Sequence, residues 1–476
     1  SEALKIGNAA YSKSQGRDLV DVLVYAILLT HRELGEEALG VLRRGLGFHS
    51  DDVALQLAQV DALFSHGEYD AATNLMEALR GVPLTNARHW AYLGDMFWDV
   101  EARADALYCY EQASVRGSDA PDVALRLADL YADDERFFES AEQFERAGRL
   151  APSDPHIWMA VTEAWLGLEE WERAVHAAQR AAKLSDDEPE TWSLLGVAHR
   201  EAGDLGAALQ AFEKARNLDP DDVVHWLNLG ALQLELGVPD AARLSYERAA
   251  HLDAEDPEAL NGMVVAAFDL GDVEMAERLA RRAVEIAPEH PDSLYNLGVV
   301  ALSLRRTDEA REAFSAALVL EPDNPHLISG LATTVLLDGD VDGALELLEH
   351  AVELDDHDAE LVLEFAQFLF RHGGAQRVLD FVETIRCNDP TWLVVVPMFE
   401  FLARALRRDE GFSDAVMHRF VEAVRAQPAA IPVHWDFDEL ERLSFSLEDG
   451  AREHFLGMLA VLDGRKDVET LGGLAA

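Results

Sequence analysis

Lysine is scarce in this chain, cysteine is scarcer, and long apolar runs are missing. Only Lys5, Lys13, Lys183, Lys214 and Lys466 represent lysine among 40 basic residues, which face 89 Asp and Glu for a formal net charge of -49. A surface this short of cations repels polyanions. Nucleic acid is excluded as a partner, because phosphates are held by clustered Lys and Arg. Anionic membrane surfaces are excluded for the same reason. Basic peptides or proteins would instead be steered toward the chain. Few lysines beside many carboxylates also fit a halophile or a GC-rich genome, so the acidity alone leaves salt adaptation and recognition both open. Cys109 and Cys387 lie too far apart in a linear array for a disulfide, and two cysteines alone cannot build a zinc site. No apolar run approaches the ~20 residues of a membrane span. The opening SEALKIGNAAYSKSQ has no basic region followed by an apolar one, which points away from a secretion signal and toward the cytoplasm. Ser1 in place of Met points to a trimmed start.

Catalytic signatures are missing as well. The 17 His residues are scattered, with no H-E-x-x-H and no Cys/His cluster. Neither G-x-x-x-x-G-K-[ST] nor G-x-G-x-x-G occurs, and G-x-S-x-G is absent. Carboxylates are so abundant that a pair of them says nothing about acid or base roles. The expectation is a chain without enzyme activity, cofactor or metal. One motif runs against it: residues 338–349, DGDVDGALELLE, match the calcium-loop pattern in full. Asp338, Asp340 and Asp342 would supply ligands, Gly343 the sharp turn and Glu349 the bidentate carboxylate. A calcium loop, however, needs residues 344–346 extended, whereas Ala344, Leu348 and Ala351 keep helical spacing. The expectation is a helix start there and no calcium site.

What the chain does contain is a period. In 189–222, PETWSLLGVAHREAGDLGAALQAFEKARNLDPDD, apolar or small residues stand at Trp192, Leu195, Gly196 and His199, then at Ala208, Phe212 and Ala215. Each set lies on one helix face, and Gly203-Asp204 breaks the pattern between them. Two short amphipathic helices joined by a tight turn result. The same unit recurs every 34 residues without insertion. Trp90, Leu93, Gly94, Phe97, Ala106, Tyr110 and Ala113 fall in register, as do Trp226, Leu229, Gly230, Ala242 and Tyr246, and Leu297, Gly298, Ala310, Phe314 and Pro322. This resembles the tetratricopeptide repeat (TPR) pattern W-x2-L-G-x2-Y, A-x3-F, P, with His199 in place of the usual aromatic. The resemblance implies an all-α, right-handed α-solenoid of about eleven tandem helix-turn-helix repeats with N- and C-terminal capping helices. The expected layout is a cap helix over 1–18, eleven units over 19–392 with the first two degenerate, a divergent unit over 393–430 starting near Pro397, and two capping helices and a tail over 431–476.

In TPR proteins the first helix of each unit lines a concave groove through its second, fifth, ninth, twelfth and thirteenth residues. Carried onto this chain, the ninth positions give Asp61, Asp95, Asp129 and Glu163, a ladder of carboxylates. Val265 and Val299 follow at the same position later on. Twelfth positions include Trp98, Leu234, Phe268 and Leu302, and Leu227 and Tyr295 join from the fifth. The resemblance thus implies a groove that is acidic in its first half and apolar in its second. Arg88, Arg200 and Arg371 are the dispersed basic residues among inward positions, which does not fit the TPR domains that clamp C-terminal carboxylates. The asparagine ladder of glycosyltransferase arrays is also missing, because Gly262 and Gly330 interrupt Asn228 and Asn296. The expected function is a non-enzymatic scaffold or adaptor that binds a basic or amphipathic protein segment. A regulatory subunit in a stoichiometric enzyme complex and a self-assembling oligomer are the alternatives.

Overall fold

The computed structural model describes residues 2–462 apart from 386, 388 and 428–437, together with 464–466, 468 and 471. Regular structure among the described residues is entirely helical, with 27 α-helices, one π-helical turn and no strand. None of the described helices is long and apolar enough to cross a membrane. The chain divides into two compact blocks, Ser1–Leu232 and Gln233–Ala476. In the N-terminal block, helix Glu2–Ser14 precedes a series of hairpins, from Leu19–Thr30 with Gly35–Leu46 to Pro189–Glu201 with Leu205–Leu218. The C-terminal block continues the series, for example with Pro291–Ser303 and Thr307–Leu320.

The period of the sequence becomes a period of backbone conformation. Residues 33, 67, 101, 135, 169, 203, 237, 271, 305 and 339 all have positive φ and fall 34 apart. Each is the left-handed residue that ends a first helix. The next amide then reaches back five residues to a carbonyl of that helix, as Asp204 N does to His199 O at 2.9 Å and Arg136 N to Tyr131 O at 2.8 Å. This bond satisfies a carbonyl that the helix end would otherwise leave open. Glycine takes the conformation freely at Gly203, but Glu33, Glu101, Glu135, Glu169 and Arg305 adopt it against the steric preference of a Cβ. Only the glycine-bearing turns are visible in the sequence.

Other glycines set how closely helices approach. A Cβ on Gly196 would sit 2.5 Å from the Phe212 ring of the same hairpin, and one on Gly298 would sit 2.7 Å from Phe314. Gly330 of the following hairpin meets that same Phe314 ring at 2.6 Å. Phe314 is fully buried and is therefore held between two successive first helices. Gly262 admits Tyr246 in the same way, which explains why glycine stands there and at 330 in place of asparagine. The tryptophans at the fourth position have a further role. The indole N–H groups of Trp90, Trp158, Trp192 and Trp226 donate to carbonyls six residues earlier, pinning the loops between hairpins. Trp192 is only half-buried and is not the core anchor its pattern suggests.

The divergence expected at 393 has a different cause and place. A π-helical turn, Leu369–Gly373, adds one residue, so the next positive-φ residue is Gly374. The following one is Arg408, again 34 further on. Second helix Ala375–Thr384 is shortened to 10 residues, and the next helix, Pro390–Arg407, is lengthened to 18. The expected boundary at 392/393 therefore falls inside a helix, and Pro397 lies within it and does not start it. The start is set by Asp389, whose carboxylate accepts from Thr391 N and Trp392 N, with Pro390 as first helical residue. Of the two capping helices expected after 431, the described parts are Asp438–Ser444 and Asp449–Leu462. The second buries Phe455, Met458 and Leu459 in the core that also holds Phe399, Phe401 and Phe420. Pro428 and residues 431–437 and 472–476 lie outside the described residues.

Phe314→Ala should cost about 3–5 kcal/mol, the range for emptying a buried aromatic site. Gly330→Ala should also lower the urea midpoint, and Phe314→Leu should restore part of that loss in the double variant. An unchanged midpoint for Gly330→Ala would show that the ring has room to move. Glu135→Gly should raise stability by up to about 1 kcal/mol, since it removes a side chain from a left-handed turn. Gly203→Glu should lower it.

Candidate functional site

The first helices of the N-terminal block enclose a concavity of about 890 Å³. Leu23 and Ile27 line it from one helix, Leu57, Asp61 and Phe64 from the next, and Arg88, Tyr92, Met96 and Asp99 from a third. Its wall is mostly apolar, and the acidic groups are set into that wall. Asp61 accepts a hydrogen bond from the Tyr92 hydroxyl. Burial pushes the Asp61 carboxyl above its ordinary range, the tyrosine bond opposes this, and Asp99 adds to it. The Tyr92 hydroxyl is pushed up by burial and by the same bond. Neither Asp61 nor Asp99 forms an ion pair with Lys or Arg among the described residues, although Arg88 lines the same space.

The expected ladder is distributed differently from its spacing. Asp95 accepts from Tyr110 Oη at 2.7 Å, a bond within its own hairpin, and lies on a neighbouring surface with Arg116 and Asp119. Asp129 and Glu163 are exposed and line neither hollow. Although Asp95 and Asp129 stay exposed, partial burial of their carboxyl groups raises both above their ordinary values, opposed by the Tyr110 bond and Arg126 at Asp95 and by Arg126 at Asp129. Trp98 is covered by the Arg126 guanidinium, 4.3 Å from its ring centroid, and packs on the core without lining the concavity. Leu227 is half-buried in the N-terminal block. Tyr92 carries much of the site, yet it stands at the sixth position of its unit, outside the inward set. The signal for that position is the interrupted asparagine pair Asn228 and Asn296, of which Asn228 does reach across hairpins, donating to Ser193 Oγ at 3.2 Å.

In the C-terminal block, Tyr295, Val299 and Leu302 come together with Phe314, Ser329, Thr333, Glu360 and Glu364 around a smaller cleft. Phe268 packs against Val264 and Ala267, Leu234 is half-buried, and Val265 stays 38% exposed. The expected apolar half thus contains two carboxylates. Glu364, again a sixth position, accepts from Ser329 Oγ at 2.6 Å. Burial pushes its carboxyl up, the serine bond opposes this, and Glu360 adds to it.

The calcium-loop residues are used otherwise. Asp340 caps helix Val341–Leu354 by accepting from Gly343 N, and Asp338 pairs with Arg311. Residues 344–346 are helical, so the ligand geometry of a calcium loop is not formed. Among the described residues no group of three or more His, Cys, Asp or Glu is placed to hold a metal ion. Burial pushes the Cys109 thiol up to about 12, which keeps it an unreactive core residue.

Two family models described as tetratricopeptide repeat match the chain, one over residues 47–225 and the other over 227–291, 261–325 and 295–359. The chain belongs to the tetratricopeptide repeat family. No curated protein matches it. Among solved structures, a thermophilic TPR protein of Thermus thermophilus, TTC0263, is 26% identical, with 38% of this chain and 99% of that chain covered and a TM-score of 0.36. MamA is 26% identical over 35% of this chain and 97% of its own, with a TM-score of 0.30. Naa15/Naa10 bound to HypK-THB is 16% identical over 93% of this chain and 80% of that one, with a TM-score of 0.44. TPR repeats thus account for the α-solenoid of hairpins and for a protein-interaction scaffold as its general role.

The raised carboxyls of this TPR array have a consequence for stability. A carboxyl whose folded pKa lies above its unfolded value binds protons more readily in the folded state. Stability therefore falls as pH rises through that window. Asp129→Asn should raise the melting temperature at pH 7, and the gain should vanish at about pH 3, below the ordinary carboxylate range. A melting temperature that drops at pH 7 would show that Asp129 is held by the fold.

Proposed function

We propose that the chain is a non-enzymatic scaffold whose N-terminal concavity holds a basic, amphipathic segment of a partner protein. The observation that supports this most is the pairing of an apolar wall with Asp61 and Asp99, which form no ion pair with Lys or Arg among the described residues. Exposed apolar concavities of this size usually mark contact sites. A segment with Leu or Phe on one side and Lys or Arg on the other would bury the first against Ile27, Leu57 and Met96. It would bring the second to the carboxylates. Such a cation would also hold Asp61 in its ionised form, offsetting the penalty of its burial. The net charge of -49 would speed the encounter with a basic partner, most strongly at low salt. Stacked hairpins present the surface already formed, which lowers the ordering cost of binding.

The test is affinity capture from native lysate with the wild-type chain beside an Asp61→Lys, Asp99→Lys variant, followed by mass spectrometry. A partner with a basic segment should bind the wild type and be lost by the variant, and added salt should release it. If both proteins capture the same partner equally, these carboxylates are solvated surface and the reading fails.

A further inference from the structure

Two adjoining clefts in the C-terminal block, of about 210 and 280 Å³, share Tyr295, His326 and Glu360. Val299, Leu302 and Phe314 line the inner cleft, and the Tyr295 and Phe314 rings meet edge to face with centroids 5.9 Å apart. Glu364 stands within this apolar lining. Its hydrogen bonds come from hydroxyls, Ser329 at 2.6 Å with Thr333 nearby, and it forms no ion pair among the described residues. Glu360 is exposed at the shared mouth. His326 is directed to Asp358, with Nε2 3.3 Å from Oδ2. The Tyr295 hydroxyl has no hydrogen-bond partner among the described residues. A carboxylate sunk among apolar groups without a counter-ion is costly, and nothing in the packing of the hairpins requires one at this position. Leu194, Asn228, Gly262, Asn296 and Gly330 hold the same sixth position in other hairpins without charge.

We propose that this cleft takes the guanidinium side chain of an arginine presented by a partner protein. Each part of the lining has a counterpart in that side chain. Val299 and Leu302 suit its three methylenes, which bury readily while the head stays polar. The planar head stacks on the Tyr295 ring and donates at once to Glu364 and to Glu360. A guanidinium is also more weakly hydrated than an ammonium, so it enters a half-buried site at lower cost than lysine. The proposal rests on the scaffold reading only in needing a partner chain. It concerns the other block and different residues.

The test uses the full chain and fluorescein-labelled nonapeptides of leucine and alanine with one central arginine, lysine or citrulline. Anisotropy titration should show the arginine peptide binding roughly tenfold or more tighter than its neutral citrulline isostere, the scale of one charge-assisted contact. Glu364→Gln should abolish that difference while leaving the helical circular dichroism unchanged. Glu360→Gln, at the exposed mouth, should reduce it, and it serves as the readout if Glu364→Gln does not fold. Tyr295→Phe should keep most of the preference and Tyr295→Leu should lose it. Equal affinity for arginine and citrulline overturns the proposal, as does the absence of saturable binding by the arginine peptide. A lysine peptide that binds as tightly as arginine overturns the guanidinium assignment. The Asp61→Lys, Asp99→Lys variant of the N-terminal block should keep the arginine preference, so failure of the capture experiment and failure of this one are told apart.

Discussion

The rest of the array depends on a close approach between a glycine on one helix and an aromatic ring on another. Phe314 shows it most fully, with Gly298 of its own hairpin and Gly330 of the next both within 2.7 Å of its ring once a Cβ is added. The helices can be this near only because neither glycine has a side chain. The ring then fills the space among three helices and ties one hairpin to the next. Tyr110 against Gly94 and Phe212 against Gly196 repeat the contact within a hairpin, and Tyr246 against Gly262 repeats it between successive hairpins. Since one hairpin cannot bury its own apolar face, this contact between neighbours is what turns a repeated sequence into a stable array.

Many of the scarce cations are engaged in the packing, some within a hairpin and some between hairpins. Arg116, Arg126, Arg173, Arg180 and Arg216 stand over the rings of Trp90, Trp98, Trp165, Trp158 and Trp226, and Lys214 over Trp192. Arg281 and Arg306 bind Glu277, and Arg281 also reaches Glu309. Cations held this way support the stacking. Asp61 and Glu364 have no such arrangement, although they sit among apolar side chains. Carboxylates placed among apolar groups at a cost to the fold are a mark of sites selected for something besides stability.

The spacing of Trp, Gly, Ala and Phe in the sequence was enough to locate the hairpins, because helical period and glycine placement are local properties. It also identified Asp61, Tyr295, Val299 and Leu302 as inward residues, and these do line concave spaces. The same logic misplaced Trp98, which Arg126 covers from the following hairpin, and it passed over Tyr92 and Glu364. Both of those occupy the sixth position, which faces the groove or the core according to what the neighbouring hairpin supplies.

The number of hairpins, their period and the acidic balance follow from local order along the chain. Tertiary structure alone decided which left-handed turns Glu33, Glu101, Glu135, Glu169 and Arg305 would take without glycine, where the extra residue at Leu369–Gly373 would be absorbed, and which acidic side chains would end up beside a tyrosine instead of in water. The physical reason is the same in each case. A helix period is set by bonds four residues apart, whereas the surroundings of a side chain are set by the other helices packed against it, at distances that only packing determines.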